Sequence, residues 1–274
     1  MARKKVEGNC HICGTYGKLS FEHVPPKSAF NNRRVVRVGI DKAIAVGPYD
    51  NKITGRIEQR GAGDYTLCER CNNNTGRWYA RSFAHWCVQG ATVLIKTDFN
   101  PRIFTIHYIF PLRVIKQIVT MFFSVNHEGF ATANPELVEF VLNRDKLYLP
   151  PQYRFYVYFN RGVPTDRLRS TGIVGKLNFD TGKQTLISEI TFPPFGYVFT
   201  IDSEIPDRRL FEITHFSRYR YDDLKVLEMR PVVLDTPTFV PGDYRTPEEV
   251  MKESAQQIEE ERRRQNGSQP DSDA

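Results

Sequence analysis

No run of about 18 apolar residues occurs in the 274-residue chain, and its Met-Ala-Arg-Lys-Lys start leads into charged sequence instead of an apolar signal core. These absences predict a cytoplasmic protein that does not enter a membrane. Acidic residues are scarce in the first third: residues 1–90 hold seven Asp and Glu against 15 Lys and Arg, a net of +8, while the remainder stands at −2. Four zinc-bound thiolates with their ion would lower the first figure to about +6. A surplus of that size suits a polyanion such as nucleic acid, because neutralising phosphates releases counterions, and it equally suits a surface kept soluble by charge. Aromatic residues are not scarce. With 19 Phe and 13 Tyr the chain can bury a core, which excludes a disordered protein, and its length suggests about two domains.

Cysteine is also scarce, with five in all, but four of them are paired. Cys10 and Cys13 make one Cys-x-x-Cys unit and Cys68 and Cys71 a second, with 54 residues between. Each unit sets two sulfurs about a metal diameter apart, so in a cytoplasmic chain the four predict a tetrahedral structural Zn²⁺ site. Gly14, which closes CHICG, permits the left-handed turn that lets backbone amides face the sulfurs. Cys87 has no partner at that spacing and follows Trp86 on a helical pattern, which predicts burial as a small apolar residue.

Between the units, YGKLSFE alternates Leu19 and Phe21 with polar residues and reads as a short strand ending at His23. Pro25 and Pro26 then force a turn or loop, RRVVRVGI reads as a basic strand, and GPYDNKITG as a loop. From Thr66 onward Leu67, Trp78, Tyr79, Phe83 and Trp86 recur near helical spacing, with Gly90 as the expected helix end. The order is strand, strand, helix, and the second cysteine pair opens the helix.

Within that order stand C-x2-C (Cys10, Cys13), E-H-x-x-P (Glu22, His23, Pro26) and C-x2-C-N-x3-G (Cys68, Cys71, Asn72, Gly76). The array resembles the zinc-containing HNH endonucleases of the ββα-metal superfamily, over about residues 8–90. The resemblance implies a ββα-metal module clamped by a four-cysteine zinc site. It further implies that Glu22 and Asn72 hold a catalytic Mg²⁺ or Mn²⁺, and that His23 takes the proton from the attacking water. Neighbours on a strand face apart, so Glu22 can hold metal while a neutral His23 addresses the nucleophile. A hard divalent cation suits the negative charge that grows on the phosphate and on the departing 3′ oxygen.

Each role has an ordinary competitor. Glu22 could pair with Lys18 or Lys27, His23 could be a hydrogen-bonded turn residue, and Asn72 could cap the helix, alone or as well. The middle Asn of the family pattern, which orders the loop behind the histidine, lies among Asn31, Asn32 and Asn51, with Asn51 preferred. Where relatives often carry Lys three residues beyond the final Asn, this chain has Thr75, then Gly76 and Arg77. Arg77 and Arg81 would share a helix face, and Lys27, Arg33, Arg34 and Arg37 line the segment after the Glu-His pair. These are the candidate DNA phosphate contacts, against a plain solvated basic face. His85 reads as structural or surface, and Trp78 and Trp86 as core.

Beyond residue 90 the sequence predicts architecture more than chemistry. ATVLIKTD and RIFTIHYIF read as strands, PLRVIKQIVTMFFSVN as a largely buried helix, and NPELVEFVLN as a short helix with Asn134 as cap and Pro135 at its first position. Further segments from YRFYVYFN to LKVLEMRPVVL, LFEITHFSRY among them, read as an antiparallel meander. His107, His127 and His215 lack metal-ligand spacing. Thr246 opens a capping-box helix carrying the pairs Glu259–Arg263 and Glu260–Arg264, ahead of a disordered tail.

The expectation is an α+β protein: residues 1–90 a zinc-stabilised HNH nuclease domain, 91–245 an α+β domain with an antiparallel sheet, and 246–274 a charged helix and tail. Its expected function is metal-dependent hydrolysis of DNA, in a restriction or phage-defence setting. The alternatives are a zinc-stabilised nucleic-acid-binding module without turnover, and a nuclease silent until a protein partner or ligand engages the C-terminal domain.

Overall fold

The strand expected at YGKLSFEH forms and is paired along both edges. In the computed structural model β1 (Glu7–Asn9) lies antiparallel to the first half of β2 (Tyr16–His23), and β5 (Gly63–Cys68) to the second half, in the order β1-β2-β5. A separate antiparallel pair, β3 (Val35–Arg37) with β4 (Arg56–Glu58), lies between them in sequence. The described residues are 6–37, 55–101, 104–161, 169–177 and 184–234, with isolated positions between 244 and 263. Asn51, most of the GPYDNKITG loop, Arg264 and the final tail lie outside them, as does the side chain of Arg37.

The alternation of β2 breaks at one point, and the break decides where Glu22 goes. A bulge between Ser20 and Phe21 shifts the register against β5, so Leu19 and Glu22, three apart, become the buried side chains of the strand. Phe21, expected to share the face of Leu19, instead lies half-buried against the rings of His23 and Tyr65, at centroid distances of 4.9 and 5.5 Å.

Cys68 is the cap residue of α1 (Glu69–Thr75), which continues through a five-residue π-helical segment, Gly76–Ala80, into α2 (Arg81–Lys96). Asn72 therefore sits inside the helix and does not cap it. Gly90 does not end the helix either, and residues 91–96, read from the sequence as a strand, are its last turns. Packing is the reason: a Cβ at position 90 would lie 2.4 Å from Phe195 Cζ, so the glycine lets α2 close onto the sheet behind it. That contact overrides a helix penalty of about 1 kcal/mol.

β6 (Thr105–Ile109) leads into α3 (Pro111–Val125), whose first position is proline, followed by α4 (Phe130–Ala133) and α5 (Pro135–Leu142). Asn134 precedes Pro135 as expected, but its amide donates back to Phe130 O at 2.9 Å and makes no cap to α5. β7 (Tyr153–Phe159), β8 (Arg169–Leu177), β9 (Gln184–Phe192), β10 (Phe195–Ile201) and β11 (Phe211–Glu212) form an antiparallel sheet in the order β11-β7-β10-β9-β8. LFEITHFSRY yields only two residues of strand before a 3₁₀ turn, Thr214–Arg218, because Ile213 and Phe216, three apart, both turn into the core. β12 (Lys225–Met229) leaves this sheet and pairs with β6. The fold is thus mixed α/β with antiparallel sheets.

One buried cluster runs through residue 90 without a break. It joins Leu19 and Leu67 to Phe83 and Trp86 of α2, Ile115 and Ile118 of α3, and Phe155 and Phe195 of the five-stranded sheet. Trp86 stacks on Phe195 with ring centroids 4.4 Å apart, which makes it core. Cys87 is buried beside Tyr197 Oη at 3.9 Å, and burial pushes its thiol up to about 12. Among the described residues no helix is long and apolar enough to cross a membrane.

His107 is fully buried beside Trp86 and Phe195, and Nε2 lies 2.8 Å from Thr105 Oγ1, while no partner for Nδ1 exists among the described residues. Burial pushes its pKa down to about 4. The unfolded chain takes up a proton on this ring below about pH 6.5 that the folded chain refuses, so stability is present above that value and is lost on acidification towards pH 4. Urea unfolding of His107→Gln at pH 6.5 and pH 4.5 should show a smaller loss than the parent, by about 2 kcal/mol. Equal losses would show that another group carries the acid sensitivity.

Candidate metal centre and catalytic cleft

The turn that carries the first cysteine pair is built by its backbone. Cys10 N–H donates to Thr15 O at 3.0 Å, Gly14 N–H to Cys10 O at 2.8 Å, and Gly14 takes the left-handed φ of 69° expected of it. His11 N–H bonds Thr66 O at 2.9 Å, which sets this turn against the end of β5, where the second pair begins. The Sγ atoms of Cys10, Cys13, Cys68 and Cys71 all lie within 4.8 Å of one another, and Cys13 and Cys68 are 3.8 Å apart. Four thiolates at about 2.3 Å from a tetrahedral Zn²⁺ would be about 3.8 Å apart, so the cluster can hold such a metal. Proximity to Cys71 lowers the Cys10 thiol below its ordinary range, and the same pairing pushes the Cys71 thiol up. These shared protons are what a divalent cation would displace.

Beside the cluster a cleft of about 510 Å³ is bordered by Glu22, His23, Lys27, Asn72, Gly76 and Gln117. Glu22 reaches it because of the bulge in β2, and Asn72, Gly76 and Ala80 because spacing of four puts them on one side of the helix. The Glu22 carboxyl has no ion pair or hydrogen bond among the described residues, and burial alone pushes it up to about 8. Neither Lys18 nor Lys27 pairs with it. Asn72 uses its Nδ2 to donate to Ser20 Oγ at 3.0 Å and Phe21 O at 3.2 Å, so Oδ1 is the end left for another partner. A carboxyl group without a counter-charge, which a bound cation would hold ionised, and an amide oxygen on one cleft are the donor chemistry of a hard cation such as Mg²⁺ or Mn²⁺.

His23 ends β2 and borders this cleft and a second one, of about 980 Å³, lined also by Lys18, Phe21, Arg60 and Tyr65. Its Nε2 lies 3.0 Å from Arg60 O. A carbonyl only accepts, so Nε2–H donates and the neutral ring keeps its lone pair on Nδ1. Partial burial and the charge of Lys27 lower its pKa against the opposing effect of that hydrogen bond, which favours the neutral ring at pH 7.

Asn31 fastens the segments on which the His23 contact depends. Fully buried, it donates from Nδ2 to Pro25 O at 2.6 Å and to Ala62 O at 2.7 Å, and accepts from Ala62 N–H at 2.7 Å. The loop after His23 is thereby tied to the approach to β5, next to Arg60. Gly61 completes the clamp: its φ is 96°, and a Cβ there would meet Asn31 O at 2.3 Å. Asn32 is exposed and borders the cleft. The sequence offered Asn31 as one of three candidates; the only signal was an Asn between the histidine and the next strand. Asn31→Ala should cost about 3 kcal/mol in denaturant unfolding, since three buried groups lose their partner. Asn31→Asp should be no better, because a carboxylate cannot donate to two carbonyls; unfolding equal to the parent would show the clamp to be idle.

Arg33, Arg34, Arg77 and Arg81 are exposed, and no ion pair engages them among the described residues. Arg33 follows the cleft residue Asn32, Arg77 follows Gly76, and Arg81 follows Ala80. Arg37 lies on β3, with its side chain outside the described residues. His85 is exposed on α2 and takes no part. Comparison with models of protein families, with curated proteins and with solved structures finds no match for the chain.

Proposed function

We propose that the protein is a metal-dependent endonuclease of the HNH type, hydrolysing DNA phosphodiester bonds, with Zn²⁺ in the four-cysteine cluster. The observation that supports this most is the meeting of Glu22, His23 and Asn72 at one cleft next to that cluster, with His23 Nδ1 left as the basic atom. Mg²⁺ or Mn²⁺ held by Glu22 and Asn72 would supply charge stabilisation for the phosphate and for the departing 3′ oxygen. His23 Nδ1 takes a proton from the attacking water, and Arg60 O holds the imidazole in place while it does so. The products are a 5′ phosphate and a 3′ hydroxyl. Lys27 at the cleft and Arg33, Arg34, Arg77 and Arg81 around it supply phosphate contacts that position a duplex without reading its sequence. A setting in restriction or phage defence, and activation through the second half of the chain, fit a nuclease that carries a further α+β part.

Incubation of the zinc-loaded chain with supercoiled plasmid and Mg²⁺ or Mn²⁺ should convert the plasmid to nicked or linear forms, with conversion lost when the added cation is omitted and zinc content is unchanged. Retention of DNA in a shift assay without conversion under either cation would favour a binding module and overturn the reading.

A further inference from the structure

Gln117 belongs to α3, in the part of the chain that the HNH resemblance does not cover, yet it borders the same cleft as Glu22, His23 and Asn72. Its side chain is 1% exposed, and its Oε1 has no hydrogen-bond partner among the described residues. A buried acceptor without a partner costs about 1–3 kcal/mol, so its retention calls for a partner that the described residues do not supply. The neighbouring Lys116 is satisfied elsewhere, donating to Phe140 O and Asn143 O at 2.6 Å each, so it does not serve Gln117. Of the π-helical segment, the residues that border the cleft are the small Gly76 and Ala80, and a Cβ at Gly76 would meet nothing within 4 Å.

We infer that Gln117 Oε1 is a third protein oxygen of the divalent-cation site, acting on the cation directly or by accepting from a water bound to it. This rests on the nuclease reading above and adds to it: the site is completed by a residue of the second half of the chain. A phosphate oxygen cannot satisfy Oε1, because both are acceptors, whereas a cation or its water can.

Mn²⁺ binding to the zinc-loaded full chain, followed by electron paramagnetic resonance, tests the assignment apart from activity. Gln117→Leu should weaken Mn²⁺ binding by a factor of about 10 or more. It should leave zinc content and melting temperature equal or higher, since an apolar side chain replaces an unpartnered polar one. Gln117→Glu should restore or tighten binding, and in cleavage the Leu variant should need about 10-fold more Mg²⁺ for half-maximal rate. Unchanged Mn²⁺ affinity in both variants, with the parent binding normally, overturns the inference and leaves the nuclease reading intact. Absence of Mn²⁺ binding in the parent chain overturns both. Should Gln117→Leu not fold, the Glu variant decides: an affinity at or above that of the parent supports the assignment, and a lower one removes it.

Discussion

Substituting His23 with Ala is expected to slow plasmid cleavage by a factor of about 10²–10⁴, the usual share of a positioned general base. Zinc content should stay as in the parent, and the melting temperature should fall by only about 2–4 °C. His23 is half-buried, and among the described residues its ring makes one hydrogen bond, to Arg60 O, and one edge contact, with Phe21 at 4.9 Å. Its loss should therefore cost the fold about 1 kcal/mol. Added imidazole should recover part of the rate in His23→Ala, because the ring can re-enter at the mouth of the cleft. Equal cleavage by parent and variant would remove His23 as the base.

The second large effect falls on the zinc cluster. Cys71→Ser should reduce zinc from about one ion per chain to well below that, and should unfold the first sheet and α1 at a much lower temperature. Structural zinc sites of this kind contribute on the order of 10 kcal/mol of apparent binding energy. Here they join the start of the chain to a helix that begins 55 residues later, between Cys13 and Cys68. Cys87→Ala is the comparison: that cysteine lies in the core beside Tyr197, away from the cluster, and its removal should leave zinc unchanged. Unchanged zinc in Cys71→Ser would dismiss the four-sulfur site. Because Asn72 directly follows Cys71, loss of the metal should also abolish cleavage.

How much of this was legible beforehand depended on the range over which each residue acts. The parts given to Glu22, His23 and Asn72 rest on a family resemblance, whereas the paired cysteines are a local pattern and the cluster they form can be read from spacing. The bulge that buries Glu22 in place of Phe21 could not, since it is set by pairing with β5 more than 40 residues away. Asn31 was one loop Asn among three until its bonds to Pro25 O and Ala62 were visible. Gln117 carried no signal, because only the packing of α3 brings it to the cleft. The errors in secondary structure have the same origin: Gly90 looked like a stop for want of Phe195 opposite it, and the stretch after it was read as a strand.

That meeting of Gly90 and Phe195 also bears on how such a chain can change over generations. With a Cβ at position 90 destined for a ring carbon 2.4 Å away, any larger residue there must arrive together with a smaller one at position 195. The two positions lie on opposite sides of the join between the part that carries the four-cysteine cluster and the later sheet. Exchange of either part for a different one would therefore have to keep a small residue at position 90 against the ring at position 195.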